Sequence, residues 1–113
     1  MSERLTRNLH LIQFIAAAEP KQVIALLKIL TPDQIKTLTE ISGNTLRGVL
    51  DLSDAEKLRL KKYKTFLISL ASEHKSDRSK KTLLVRGIRA LNLLLKIALP
   101  VVERIALASL RRS

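Results

Sequence analysis

The sequence predicts an all-α protein, a compact bundle of four to five short helices that forms one domain over residues 1–113. Apolar residues recur at the three- and four-residue spacing of an amphipathic helix along most of the chain. Only three Gly and three Pro occur in 113 residues, and no segment shows the two-residue alternation of a half-buried strand. Because 46% of the residues are hydrophobic and 3% are aromatic, we expect a largely aliphatic core.

The first 30 residues predict two helices. Ser2 is a candidate N-cap of the first helix. The apolar face of this helix consists of Leu5, Leu9, Ile12 and Ala16. Pro20 interrupts that pattern, and it suits the first turn of a second helix. The apolar face of the second helix consists of Val23, Ile24, Leu27 and Leu30.

Two capping-box signatures predict where the next two helices begin. In the first, Thr31 is the N-cap and Gln34 occupies the third helical position, with Pro32 between them at the first. In the second, Ser53 and Glu56 have the same spacing. The helix after Thr31 presents Ile35, Leu38 and Ile41 on one face. The helix after Ser53 is predicted over about residues 54–73, with its apolar face formed by Leu60, Tyr63, Phe66, Leu67 and Leu70.

The segment 72–81 is polar and lacks periodicity, so we expect a loop in which Ser76 or Ser79 caps the last long helix. Pro100 should kink or restart that helix, because proline lacks the backbone N–H that a helix interior requires. The predicted boundaries are residues 80–99 for the long helix and residues 101–110 for a short terminal one.

The positive charge of the chain is concentrated in its middle. The net charge is +11, and such an excess favours association with negatively charged partners. Residues 1–50 hold six basic and four acidic side chains, residues 51–90 hold 11 and five, and residues 91–113 hold four and one. We therefore interpret the first region as scaffold helices, the second as a basic helix and loop that form the contact surface, and the third as an apolar C-terminal helix.

The basic residues of the middle region are the candidate nucleic-acid-binding residues. Lys and Arg neutralise phosphates and release counterions, which gives salt-dependent affinity without sequence preference. Lys57, Lys61 and Lys64 share one helix face, and a face of lysines suits phosphate contact better than base recognition. We call the whole set the basic band. It consists of Lys57, Arg59, Lys61, Lys62, Lys64, Lys75, Arg78, Lys80, Lys81, Arg86 and Arg89.

The sequence contains no recognisable set of catalytic residues. The chain has no Cys, and its two histidines, His10 and His74, are far apart. A Gly-rich phosphate loop and a cluster of carboxylates at metal-ligand spacing are also missing from the sequence. We therefore expect a protein that is not an enzyme and has no metal or cofactor. We also expect neither a secretion signal nor a transmembrane helix, because no apolar run is long enough.

Three alternatives to nucleic-acid binding stay open at this point. The basic band is also consistent with an ordinary solvated surface, or with an adaptor that binds an acidic host or capsid protein. The segment 83–110 is apolar with interspersed Arg and Lys, so it is also consistent with a membrane-active or capsid-lining helix. We favour a bundle helix whose apolar side lies in the core, with an oligomer interface as a further use of the same face.

The central block resembles a known family in the order and spacing of its motifs. The motifs are Glu40, Asn44, Leu46 and Gly48, then LSDAEKLRLKKYKTFLISLAS at 52–72, then SDRSKKTLLVRGI at 76–88. This block, about residues 35–100, resembles a small basic protein of Polinton/Maverick elements and adintoviruses. Lys57, Lys61, Lys62, Tyr63 and Lys64 match the motif of the family directly. The chain departs from it where Gly87-Ile88 replaces a Gly-Gly pair, and in a less basic loop at 73–79.

The resemblance implies a virion or core component packaged with DNA, by analogy with the basic core proteins of adenoviruses. The expected function is thus that of a non-catalytic structural protein that binds DNA phosphates without sequence specificity, in the virion or the host nucleus. DNA is favoured over RNA as the partner. Capsid protein, anionic membrane and a second copy of the chain are the other partners under consideration.

Overall fold

Eight α-helices are present in the computed structural model, which describes residues 3–111. They are α1 (Glu3–Arg7), α2 (Leu9–Ala17), α3 (Pro20–Leu27), α4 (Pro32–Leu46), α5 (Asp54–Lys61), α6 (Lys64–Ala71), α7 (Asp77–Arg86) and α8 (Ile88–Arg111). No strand occurs between residues 3 and 111. The predicted all-α class is confirmed, whereas the predicted count of four to five helices is wrong.

The predicted helix starts are confirmed wherever a side chain caps the helix. The Gln34 backbone N–H donates to Thr31 Oγ1 at 3.2 Å, and the Thr31 N–H donates to Gln34 Oε1 at 2.9 Å. The Ser53 and Glu56 pair makes the same two hydrogen bonds at the start of α5. Ser76 caps α7, so this helix begins at Asp77 and the predicted loop is shorter than expected. Ser2 lies outside the described residues.

Helix α4 ends at a glycine in the left-handed backbone conformation. Gly48 has φ of 71°, which a residue without a side chain adopts at no steric cost. Its N–H donates to the Thr45 carbonyl, and the N–H of Val49 donates to the Asn44 carbonyl at 3.0 Å. These two bonds form a Schellman motif, which satisfies the last carbonyls of the helix and turns the chain toward α5.

Three predicted helices are each divided in two, and in the two later pairs the halves pack chiefly against different neighbours. The breaks fall at Asn8, at Lys62 and Tyr63, and at Gly87. At the second break, the Tyr63 N–H bonds to the carbonyl three residues back at 2.9 Å instead of four. Helix α5 packs on α8, whereas α6 packs on α4 and α7. A straight helix over 54–73 would not reach both partners.

Helix α8 is not divided at Pro100, so the predicted restart and the separate terminal helix over 101–110 are wrong. Helix α8 continues through it from Ile88 to Arg111. Pro100 and Lys96, whose carbonyl loses its usual donor, are both exposed residues. Beyond the proline, Val102 and Ala106 are 1% and 2% exposed. Burial of this last part offsets the cost of an internal proline, about 3 kcal/mol.

The core is aliphatic, as predicted, and α8 runs along one side of it. Helices α1, α2, α3, α4, α5 and α7 all contact α8, and α4 and α6 form a second closely packed pair. Two polar side chains, one buried and one half-buried, join the elements. Ser42 Oγ donates to the Leu67 carbonyl at 2.7 Å, and Asn92 Nδ2 donates to the Ile15 carbonyl at 3.2 Å. The fully buried large side chains are Leu5, Ile12, Ile15, Leu27, Ile35, Leu38, Ile41, Leu70, Leu84, Leu91, Leu94 and Leu95.

A polar network fixes the α1–α2 break against the start of α4. Arg4 Nε and Arg7 Nη2 donate to Asp33 Oδ1 at 3.2 and 2.9 Å. Asn8 Nδ2 donates to Asp33 Oδ2 at 3.0 Å and to Thr37 Oγ1 at 2.9 Å. The hydrogen bonds from Arg7 and Asn8, in that order, hold the pKa of Asp33 well below its usual range.

Candidate nucleic-acid interface

Nine members of the basic band are exposed to solvent. Lys81 is half-buried, and Lys80 is buried. Between residues 3 and 111, the ion pairs found are those that Asp33 makes with Arg4 and Arg7, so no member of the band is neutralised by a carboxylate in contact with it. The exposed members therefore keep their positive charge available to a partner.

These side chains do not converge on one face, because they line several separate depressions of the surface. Arg59 and Lys62 lie beside Tyr63 and Leu93, and the Lys62 ammonium is 5.2 Å from the centre of the Tyr63 ring. Arg89 lines a depression between α2, α3 and α8. Lys75 lines one that also holds the carboxylates of Glu40, Glu73 and Asp77. The acids near Lys75 make its depression a poor site for a polyanion.

Three lysines of the basic band lie around a groove between α4, α5 and α6, which we call the leucine groove. It has a volume of about 380 Å³. Its apolar lining consists of Leu46, Leu52, Leu58, Leu60 and Leu67, and its polar lining consists of Thr45, Asp54, Lys57, Lys61 and Lys64. The prediction that Lys57, Lys61 and Lys64 lie together is confirmed. The apolar lining beside them was not predicted, because Leu46 and Leu52 come from outside α5.

A second group surrounds a depression between α3 and α7, which we call the α3–α7 surface. It is lined by Lys28, Arg78, Lys81, Thr82, Val85 and Arg86. None of these six residues is acidic. The Thr82 hydroxyl donates to the Arg78 carbonyl at 3.3 Å, and every charged residue of the lining is a cation. This is the one described depression in which four basic residues occur without a carboxylate.

Lys28 was missed by the sequence analysis, which assigned residues 1–50 to the scaffold. It follows the last residue of α3, and α3 packs against α7. The only sequence signal for this placement is a basic residue at a helix C-terminus, which is common because it complements the helix dipole. The placement of Lys28 at the same depression as Arg78, 50 positions later in the chain, is a property of the tertiary fold.

Lys80 is the one predicted binding residue that the structure places inside the protein. It is 5% exposed, and its Nζ donates to Thr39 Oγ1 at 2.7 Å. Thr39 in turn donates to the Ile35 carbonyl at 3.0 Å. Burial lowers the pKa of Lys80, and the nearby charges of Asp77 and Glu73 partly oppose this shift. Lys80 therefore joins α7 to α4 and is removed from the candidate interface.

The histidines and carboxylates do not cluster into a metal-binding group in the described part of the chain. His10 and His74 are both exposed, and residues 3–111 contain no group of three or more His, Cys, Asp or Glu that could hold a metal ion. Within the same residues, no helix is both long and apolar enough to cross a membrane. No protein-family model, no curated protein and no solved structure matches this chain.

Proposed function

We propose that this protein is a non-catalytic structural protein that binds DNA through phosphate contacts, with the α3–α7 surface as its main contact. The observation that carries this proposal is the lining of that surface, which has four cations and no carboxylate. Phosphates attract Lys and Arg from any sequence of bases, so the affinity would be electrostatic and independent of sequence.

The residue types at this surface favour phosphate over base contact. Arg78 and Arg86 can each form two parallel hydrogen bonds with one phosphate, and Lys28 and Lys81 add point charges. Asn and Gln, which recognise adenine edges in the major groove, are missing from its lining. Four contacts at about 0.9 counterions each give a slope of roughly −4 for the logarithm of affinity against the logarithm of salt concentration.

The resemblance to a small basic protein of Polinton/Maverick elements and adintoviruses supports the choice of DNA over RNA. In that context the protein would be packaged with the genome of a virus-like element and would act in the virion or host nucleus. The matching motifs run from Glu40 in α4 to Ile88 at the start of α8, so they include Arg78, Lys81 and Arg86 of the proposed contact.

Electrophoretic mobility shifts with duplex DNA at 50 and 200 mM salt test the proposal. We expect binding at the lower concentration, a loss of roughly 100-fold at the higher one, and equal affinity for duplexes of unrelated sequence. Circular dichroism on the same samples verifies that the protein is folded. Folded protein that gives no shift at 50 mM salt would rule the proposal out.

The structure offers less support for a membrane-active function of residues 83–110. The apolar face of α8 packs against six other helices, and Leu91, Leu94 and Leu95 are fully buried on it. Insertion of this helix into a bilayer interface would require it to leave the core. Exposed large apolar residues occur only near its end, at Leu107 and Leu110.

A further inference from the structure

The leucine groove combines exposed apolar side chains with a row of lysines. Leu58 is 70% exposed and Leu46 is 39% exposed, although α5 is otherwise a strongly charged helix. Leu60 and Leu67 are buried beneath them, at 4% and 3% exposure. Single exposed leucines are ordinary on protein surfaces. Two that line one groove, over a base of buried leucines, form a continuous apolar strip open to solvent.

The charges along this strip have one predominant sign. Lys57, Lys61 and Lys64 line it, and all three are exposed. The one acidic residue in the lining, Asp54, occupies the first turn of α5, where it complements the helix dipole. A partner that covers the leucines would therefore bring its own flanks close to three unneutralised ammonium groups. Carboxylates on those flanks would be attracted to them, and further basic residues would be repelled.

We propose that the leucine groove binds an amphipathic helix of an acidic partner protein. Leucine-type side chains of the partner, three or four residues apart on one face, would pack against Leu46 and Leu58. Glu or Asp residues flanking that face would pair with Lys57, Lys61 and Lys64. This surface is distinct from the one proposed for DNA, so the inference does not depend on the proposed function.

Two other occupants fit the groove less well. A second copy of this chain has a net charge of +11, and its exposed apolar end, with Leu107 and Leu110, also carries Arg104 and Arg111. Those arginines would face the lysines of the groove. A free fatty acid needs a pocket that encloses most of its surface, whereas Leu58 remains largely open to solvent.

Fluorescence anisotropy with a labelled 18-residue peptide tests the inference. The peptide carries Leu at helical spacing on one face and Glu beside it, and a scrambled peptide of the same composition is the control ligand. We expect saturable binding of the first peptide, at least tenfold weaker binding of the scrambled one, and at least tenfold weaker binding when Leu58→Gln is introduced. Ile68→Gln is the matched control, because Ile68 is 51% exposed and lies outside the groove.

The charge variants separate this site from the DNA contact. Lys57→Glu, Lys61→Glu and Lys64→Glu together should abolish peptide binding and leave most DNA binding intact, whereas Arg78→Gln with Arg86→Gln should do the reverse. Both peptides binding equally, or Leu58→Gln acting no more strongly than Ile68→Gln, would overturn the inference. So would the peptide failing to bind while dodecanoate or phosphatidylglycerol vesicles bind in a Leu58-dependent way, because the groove would then be a lipid site.

Discussion

The leucine groove and the α3–α7 surface each gather three or four basic side chains around one depression, yet the residues between the charges differ. Five leucines and an aspartate lie among the lysines of the groove. A threonine and a valine lie among the cations of the α3–α7 surface, with no acid. A cluster of basic residues therefore does not by itself define the kind of partner. Apolar area beside lysines suits a folded peptide, whereas cations without carboxylates suit phosphate.

The largest effect is expected when three positive charges are removed from the α3–α7 surface. The DNA binding of this variant is compared with that of a matched variant of the leucine groove. Arg78→Gln, Lys81→Gln and Arg86→Gln together should reduce the salt slope of DNA binding by about three and the affinity at 50 mM salt by at least tenfold. The matched variant, Lys57→Gln, Lys61→Gln and Lys64→Gln, should reduce the slope by less than one. Mobility shifts or anisotropy across four salt concentrations measure both. Equal losses in the two variants would show that the charge acts as a diffuse field.

A second large effect is expected at the contact between the end of α7, which carries part of the α3–α7 surface, and α6, which carries part of the leucine groove. Gly87 separates α7 from α8, and a Cβ added there would overlap the ring of Phe66 in α6. Because the Phe66 ring is buried and has little room to move, Gly87→Ala should destabilise the fold by about 1–3 kcal/mol, as measured by urea denaturation. Phe66→Leu provides space for the methyl group. The double variant should therefore lose less stability than the sum of the two single variants, and an additive result would contradict the contact.

Substitutions of Lys80 test whether this lysine stabilises the fold or binds DNA. Lys80→Ala removes buried methylene groups and should cost about 1–2 kcal/mol of unfolding free energy. Lys80→Met keeps the apolar stem and removes the buried charge, so it should be at least as stable as the wild type at pH 7. Neither change should alter DNA affinity more than twofold. A DNA affinity that falls tenfold in Lys80→Met would return this residue to the interface.

The pH dependence of the Lys80 effect has a defined sign. Because the pKa of Lys80 is lowered in the folded protein from its ordinary value of 10.5, the unfolded chain binds more protons at alkaline pH. The wild type therefore gains stability relative to Lys80→Met as the pH rises from the folded pKa toward 10.5. Urea denaturation of both proteins at pH 7, 9 and 10 measures the difference in unfolding free energy between Lys80→Met and the wild type. This difference should become smaller as the pH rises.

The smallest effect concerns Asp33, which lines neither of the two surfaces. The folded pKa of Asp33 is lowered from its ordinary value of 3.8, so its network stabilises the protein above that value, and this contribution is lost as the pH falls through the folded pKa. Asp33→Asn should lower stability at pH 7 and weaken the acid dependence below about pH 4. Urea denaturation at pH 7, 4 and 2.5 measures this, with the exposed Asp51→Asn as control. Peptide and DNA binding at pH 7 should stay unchanged.

Local sequence signals predicted where helices begin but not where they break. Thr31, Ser53 and Pro20 act within one turn of the chain, so their roles follow from short-range chemistry. The break at Lys62 and Tyr63 has neither Gly nor Pro, and it arises because α5 and α6 pack on different partners. The continuity of α8 through Pro100 arises from burial on the far side of that proline. Both outcomes depend on tertiary packing, which no local pattern encodes.

In the candidate sites, too, some features follow from local sequence and others depend on tertiary packing. Lys57, Lys61 and Lys64 are close in sequence, so helical spacing was sufficient to group them. The packing of α3, α4 and α7 determines the rest. It places Lys28 beside the depression of Arg78, Lys81 and Arg86, and it buries Lys80, which therefore leaves the basic band. The amino-acid composition gives the number of charged residues, but it does not show which of them are exposed to solvent.

The pairing of α2 with α8 has a consequence for how the chain folds during synthesis. Asn92 of α8 donates to the carbonyl of Ile15, 77 residues earlier, and the apolar face of α2 is covered chiefly by α8. Residues made early therefore expose Ile12 and Ile15 until the last helix has been synthesised. Such long-range contacts slow folding and prolong exposure of apolar surface. A ribosome that stalled before Ile88 would present a chain with an uncovered core, which is a substrate for chaperones and proteases.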